Sequence, residues 1–180
     1  EVINSKPIAE PLNILDCCLI SDAGGAYIVT TAERAKDLQS DPVYLHGIGE
    51  YHTHEHLMCA DSLTEFGALE TGRRAYTMAG LGPEDMDFAE LYDCFSVVPM
   101  IEMEELGLCE RGGAGAMVEA GDTRIDGRLP VNTHGGMLSH AHAGAAGGLF
   151  GIIEAVRQLR GQEGERQVAN HYVALVHNEG

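Results

Sequence analysis

Apolar and polar positions follow two rhythms along this chain. The first is that of strands. Residues 22–31, DAGGAYIVTT, start small and become β-branched, which predicts a buried strand. Residues 43–51, VYLHGIGEY, predict the next, thinned by Gly47 and Gly49. Between them ERAKDL reads as a short helical exit, and Asp41-Pro42 marks a turn. A short strand is expected over 86–91 and another over 167–176. The second rhythm is helical. Over 64–79, Phe66, Leu69, Ala75 and Met78 recur on one face, and Gly80-Leu81-Gly82-Pro83 closes the run. Residues 97–108 predict another helix, 112–127 a glycine-rich loop, and the run after Gly148 a helix reaching Arg160. Strands alternating with helices predict an α/β layered sheet, with the one plausible domain boundary near residue 40.

Composition narrows the class. A chain of 180 residues with 44% hydrophobic and 22% charged content builds a globular core. Eleven basic against 28 acidic residues give a net charge of −17, which argues against a nucleic-acid partner. No apolar run is long enough for a membrane-spanning helix, and the first residues, EVINSKPIAEPLN, hold no signal-peptide core. The chain does not begin with Met, and both ends read as cut. Five cysteines without a C-x-x-C pair fit free thiols in a reducing, cytoplasmic setting.

The candidate chemistry is concentrated in a few stretches. In YHTHEHLMC, His52, His54 and His56 alternate and would share one face of a strand, as metal ligands can. The H-E-x-x-H pattern is absent, so a solvated loop is the simpler reading and no metal site is expected. Cys94 follows Asp93 at a strand-to-helix junction, where helix dipoles favour a thiolate. Cys17 and Cys18 read as buried and inert. The stretch 133–148, THGGMLSHAHAGAAGG, has no phosphate-loop signature, and its small residues suit close helix packing. A helix starting near Gly144 would direct its N–H groups at His142 and favour the neutral imidazole. Open α/β sheets place sites at strand carboxyl ends. Tyr92, Cys94, His142 and His177 are therefore expected to form an acid/base cluster.

Three of these segments carry a family resemblance. ELYDCF (90–95) resembles the N-E-A-F or H-D-C-F motif of the thiolase superfamily. PVNTHGGMLSHAHAGAAGG (130–148) is similar to its P-x-N-x-x-G-G and G-H-P region, and YVALVHNEG (172–180) stands where the family has C-x-G. SDAGGAYIVTTAERA resembles the segment closing the family's N-terminal half. The nearest likeness is to the sterol-carrier-protein thiolases and lipid-transfer proteins.

The resemblance implies a helix–sheet–helix layered fold, one half of a duplicated βαβαβαββ architecture. Residues 1–40 would end the first half and 41–180 form the C-terminal domain, stopping at its last strand. It implies an acyltransferase making or cleaving β-ketoacyl-CoA, with no permanently bound cofactor and a coenzyme A thioester as substrate. The acylated nucleophile would lie upstream of Glu1, so none of the five cysteines takes that part. His142 would hold the activating role of the G-H-P histidine and Cys94 the acid/base thiol role. The sequence departs from the family at Tyr92, in place of Asn or His, and at His177, in place of the C-x-G cysteine. Tyr92 at this position accompanies retro-aldol cleavage in some lipid-transfer relatives, which makes a β-hydroxyacyl-CoA lyase with an OB-fold partner the alternative. A non-catalytic subunit is the third. A homodimer is expected.

Overall fold

The computed structural model describes residues 1–54 and 56–179. Its centre is strand β3 (Phe88–Glu90), which pairs in parallel with β4 (Ala174–Val176) in the register Phe88↔Ala174, Ala89↔Leu175, Glu90↔Val176. On the other side of β3, Val131 forms a parallel bridge to Ala89, closed by Ala89 N–H to Pro130 O and Asn132 N–H to Ala89 O, both 2.9 Å. Parallel neighbours need long crossovers. Helices α3 (Val98–Glu105) and α4 (Ala114–Glu119) fill the first, from β3 to Val131. Helices α5 (Gly136–Ser139) and α6 (Gly147–Leu159) fill the second, from Val131 to β4.

The two faces of this sheet bury different layers, as alternation along a strand requires. Ala89, Leu91 and Leu175 pack with Met103, Leu106, Met117 and Leu129 against α3, α4 and α2 (Ala68–Ala79). Phe88, Ala174 and Val176 face α6, with Ala155 and Val168. Phe88 is fully buried, a contribution of about 1.5–3 kcal/mol for such a side chain. The arrangement is a helix–sheet–helix α/β sandwich. Gly151 lets α6 approach closely, since a Cβ there would stand 3.3 Å from Glu90 Cβ and 3.5 Å from Val176 Cγ1. Among the described residues no helix is long and apolar enough to cross a membrane.

Several expected elements differ. Residues 22–31 and 43–51 form no strand: their β-branched runs meet no partner ladder among the described residues, and Ile28 is 89% exposed. Gly47 and Gly49 instead lie against α2, where a Cβ on either would overlap the carbonyls of Ala75 and Thr71. α2 starts at Ala68 rather than residue 64 because Glu105 Oε2 accepts from Phe66 N–H (2.9 Å) and Ala68 N–H (3.2 Å) at that point. Its buried face is Ala68 and Gly72, while Leu69 and Met78 point outward. Small residues win there because a Cβ on Gly72 would already be 3.0 Å from Leu106 Cδ2. The expected loop 112–127 contains α4, and only Ala174–Val176 of the expected last strand is paired. A hairpin of β1 (Pro7–Ala9) and β2 (Leu12–Asn13) and the short α1 (Ala32–Ala35) complete the fold. The first of these was not foreseen, and the second overlaps the expected helical exit over 33–38.

Candidate active site

The site begins where β3 ends. Its ladder is continued by side chains: Asn132 Oδ1 accepts from Leu91 N–H at 2.7 Å, and Glu102 Oε2 from Tyr92 N–H at 3.0 Å. Asn132 can do this because it adopts φ 52, a left-handed conformation that Asn tolerates better than most residues. Asp93 then ties the following segment down, accepting from Met137 N–H (2.6 Å) and Leu138 N–H (3.4 Å). Gly136 is required for that approach, since its φ is 65° and a Cβ would overlap the Asp93 carboxylate.

These anchors deliver His142. Its Nε2 lies 3.0 Å from the Tyr92 hydroxyl, with the rings edge to face at 5.9 Å between centroids. Residues near the amino end brace His142 and the segment that follows Tyr92. Ser21 N–H donates to His142 O (2.9 Å), Cys18 N–H to Cys94 O (3.0 Å), and Ser96 Oγ to Asp16 Oδ1 (2.7 Å). Cys17 and Cys18 are half-buried, and all five cysteines are free.

His177 follows β4 directly. Its backbone N–H donates to Glu90 O at 2.9 Å, and its Nδ1 stands 3.2 Å from Glu102 Oε1. The structure thus brings Tyr92 and His142 into contact and links His177 to Tyr92 through one carboxyl group. Cys94 is close enough to act electrostatically on Tyr92.

The electrostatics of this pocket are those of buried acids. Burial, then Cys94 and Cys18, push the Tyr92 phenol above its ordinary value. Burial, then Cys18 and Glu179, push the Cys94 thiol up to about 12. The thiolate expected from a helix dipole is not favoured, because α3 begins only at Val98 and burial dominates. Burial raises Glu102 well above the carboxylate range, and burial with Glu102 beside it raises Glu179 to about 7. Burial also lowers His177, against the pull of Glu179 and Glu105, so its imidazole is neutral near pH 7.

A second cluster of buried acids lies on the α6 side. Thr133 Oγ1 is 2.7 Å from both Glu90 Oε1 and Glu154 Oε1. Glu154 also accepts from Arg166 (2.7 Å) and Gln158 (3.1 Å), while Glu163 pairs with Arg166 and Arg157. His134 Nδ1 stands 2.9 Å from Glu90 Oε2, and its ring lies tilted against that of His140, which meets Phe150 edge-on. His134 is thus tied to Glu90 and His140 to two neighbouring rings, and neither contacts the Tyr92–His142 pair in a hydrogen bond among the described residues.

The alternating histidines are elsewhere. His52 pairs with Glu50 (3.0 Å) and His54 Nδ1 with Thr53 (2.8 Å), all exposed or nearly so. Glu55, between His54 and His56, lies outside the described residues. Among the described residues no three His, Cys, Asp or Glu are grouped to hold a metal.

Glu102, Glu179 and Thr133 were not expected from the sequence. One signal was present for Glu102. It lies four residues after Val98 and four before Leu106, in line with a core residue of α3 and with its buried C-cap, so a carboxylate occupies a core position.

Comparison with known proteins extends the picture. Residues 49–180 match the family described as thiolase C-terminal domain-like. Over its whole length the chain is 38% identical to an acetyl-CoA acetyltransferase of Methanothermobacter thermautotrophicus, covering 47% of that protein. It is 41% identical, over 88% of its length and 42% of the relative, to 17-hydroxy-3-oxo-4-pregnene-20-carboxyl-CoA lyase of Mycobacterium tuberculosis. Among solved structures the Ltp2-ChsH2(DUF35) aldolase superposes with a TM-score of 0.82 at 36% identity, over 96% of this chain and 46% of that one. The chain thus spans about half the length of the curated relatives it matches.

Proposed function

Because the chain belongs to the thiolase family through its C-terminal domain, we propose that it supplies the acid/base half of an enzyme cleaving a β-hydroxyacyl-CoA by retro-aldol chemistry. The observation that carries this reading is the 3.0 Å contact between the Tyr92 hydroxyl and His142 Nε2. A neutral phenol that touches an imidazole is a proton relay. Tyr92 takes the proton of the substrate's β-hydroxyl as it passes its own to His142. The Cα–Cβ bond breaks, its electron pair enters the thioester enolate, and a carbonyl product leaves. The imidazolium then returns the proton through Tyr92 to Cα. Cys94, a half-buried thiol pushed up to about 12, is poorly placed to cycle protons near neutral pH.

The likeness to a CoA lyase and to an aldolase supports this order of preference. It also supports a partner protein of the OB-fold kind, by analogy with the ChsH2(DUF35) component named with that aldolase. Acyl transfer between CoA thioesters, the activity the sequence alone puts first, remains the second reading. It is favoured by the 38% identity to an acetyl-CoA acetyltransferase along the whole chain.

The two readings separate in the full-length protein. Under the lyase reading Tyr92→Phe lowers kcat by about a hundredfold or more, while Cys94→Ala leaves cleavage within about threefold. The reverse pattern, with Cys94→Ala abolishing turnover and Tyr92→Phe sparing it, replaces the lyase by acyl transfer. Turnover indifferent to both changes removes both.

A further inference from the structure

We propose that Glu102 is a positioning residue: held as a neutral carboxylic acid, it donates its Oε1–H to His177 Nδ1 and fixes that imidazole with its proton on Nε2. The role that follows, His177 as a hydrogen-bond donor to the substrate's thioester oxygen, rests on the function proposed above. The tautomer itself does not.

Glu102 is surrounded by acids and neutral groups. The residue is fully buried on the core face of α3. The titratable groups that face it are Tyr92, Asp93 and Cys94 after β3, Glu105 on its own helix, and His177 and Glu179 after β4. None of these is a lysine or an arginine. A buried carboxylate with no cation to pair with is costly, and such a group keeps its proton instead. Burial, Asp93 and Glu105 all act in that direction, and the Tyr92 N–H alone opposes them.

Geometry then says which oxygen carries the proton. Oε2 accepts from Tyr92 N–H at 3.0 Å, so it serves as the carbonyl oxygen. Oε1 is the hydroxyl oxygen, and it stands 3.2 Å from His177 Nδ1. Both atoms are buried and have no other polar partner, and their approach falls short of hydrogen-bond alignment. With His177 neutral and Nδ1 facing a hydroxyl, the ring proton sits on Nε2. The His177 side chain keeps 12% of its surface exposed. A donor so fixed can stabilise oxyanion charge as the carbon–carbon bond breaks.

The rival arrangement is an ionised Glu102 accepting from an Nδ1–H. The variant Glu102→Gln separates the two. A glutamine reproduces a neutral acid, its carbonyl accepting from Tyr92 N–H and its amide N–H facing Nδ1. It cannot reproduce a carboxylate that accepts from both sides.

The test is a long-range proton–nitrogen correlation on full-length protein labelled with nitrogen-15 histidine. His177 is assigned by the signal lost in His177→Gln, and kcat and KM are measured alongside. The expected result is an unprotonated Nδ1 and a protonated Nε2 from about pH 7 to 8, in wild type and Glu102→Gln alike. Glu102→Gln should keep kcat within about threefold, and Glu102→Leu should lose on the order of tenfold or more in kcat with less change in KM. Nδ1 protonated in the wild type overturns the proposal. So does a folded Glu102→Gln whose kcat falls as far as that of Glu102→Leu. Should Glu102→Leu not fold, the tautomer in wild type and Glu102→Gln decides alone. A protein that turns over no CoA thioester yet shows this tautomer sinks the proposed function and leaves the inference standing.

Discussion

Two clusters of buried carboxyl groups flank the same pair of strands, and they are built on opposite terms. On the α6 side, burial works to raise the Glu154 carboxyl. Hydrogen bonds from Arg166, Thr133 and Gln158 outweigh it, and the group ends below the usual carboxylate range. On the α3 side Glu102 has no cation, and burial leaves it a neutral acid. The contrast separates two uses of the same side chain. A buried carboxylate clamped by arginine joins elements: Glu154 ties α6 through Arg166 to the segment before β4 and through Thr133 to the strand edge. A buried acid without a cation keeps a proton, and that proton lies next to the groups proposed to act. The first cluster should therefore answer to mutation in stability and the second in turnover.

The contrast fails most visibly if its strongest joint proves dispensable. Arg166→Met leaves Glu154 buried without its cation. It is expected to lower unfolding stability by about 3 kcal/mol, the low end for a broken buried pair because Arg166 is itself half-exposed. Chemical denaturation checks this, and a loss below about 1 kcal/mol would show that Glu154 needs no cation. Thr133→Val comes next. It keeps the shape but removes the hydroxyl that stands 2.7 Å from an oxygen of both Glu90 and Glu154. A cost of about 2 kcal/mol is expected, with kcat within about threefold of wild type. Tyr92→Phe is the mirror experiment. Its denaturation midpoint should stay close to wild type, because the phenol and His142 are both only partly buried. A large stability loss there would erase the division between the two sides.

How much of this was legible in the sequence follows the range of the interactions. β3, α3 and α6 were readable because each carries its own periodicity and its own buried face. The runs 22–31 and 43–51 were misread as strands, since β-branched composition prescribes extended backbone but not the neighbour that pairs with it. The face of α2 was misread because Leu69 and Met78 look like core, whereas Ala68 and Gly72 are where Leu106 can come close. In the site, Tyr92 and His142 were legible by their motifs, and the structure brings them together across 50 residues of sequence. Glu102 was not: in VPMIEMEE it looks like one of three solvated acids. Only its alignment with Val98 and Leu106 hinted otherwise. The α6-side network was equally hidden, because Thr133, Glu154 and Arg166 meet through folding rather than through spacing.

The smallest effect discriminates best, because the two carboxyl groups should tilt stability in opposite directions with pH. Glu102 has a folded pKa well above its ordinary 4.5, so the folded state binds more protons than the unfolded state over that window. Its contribution is complete below about 4.5 and is lost as pH rises through the folded value, by up to about 1.4 kcal/mol per pH unit. Glu154 has a folded pKa below its ordinary 4.5, so its contribution is present above that value and is lost as pH falls through the folded one. Denaturation midpoints from about pH 3 to 8 should therefore show Glu102→Gln flattening the decline on the alkaline side of 4.5. Glu154→Gln should flatten the decline on the acid side. If Glu102→Gln changes only the acid limb, Glu102 is ionised in the folded protein, and the distinction between the two faces of the sheet is lost.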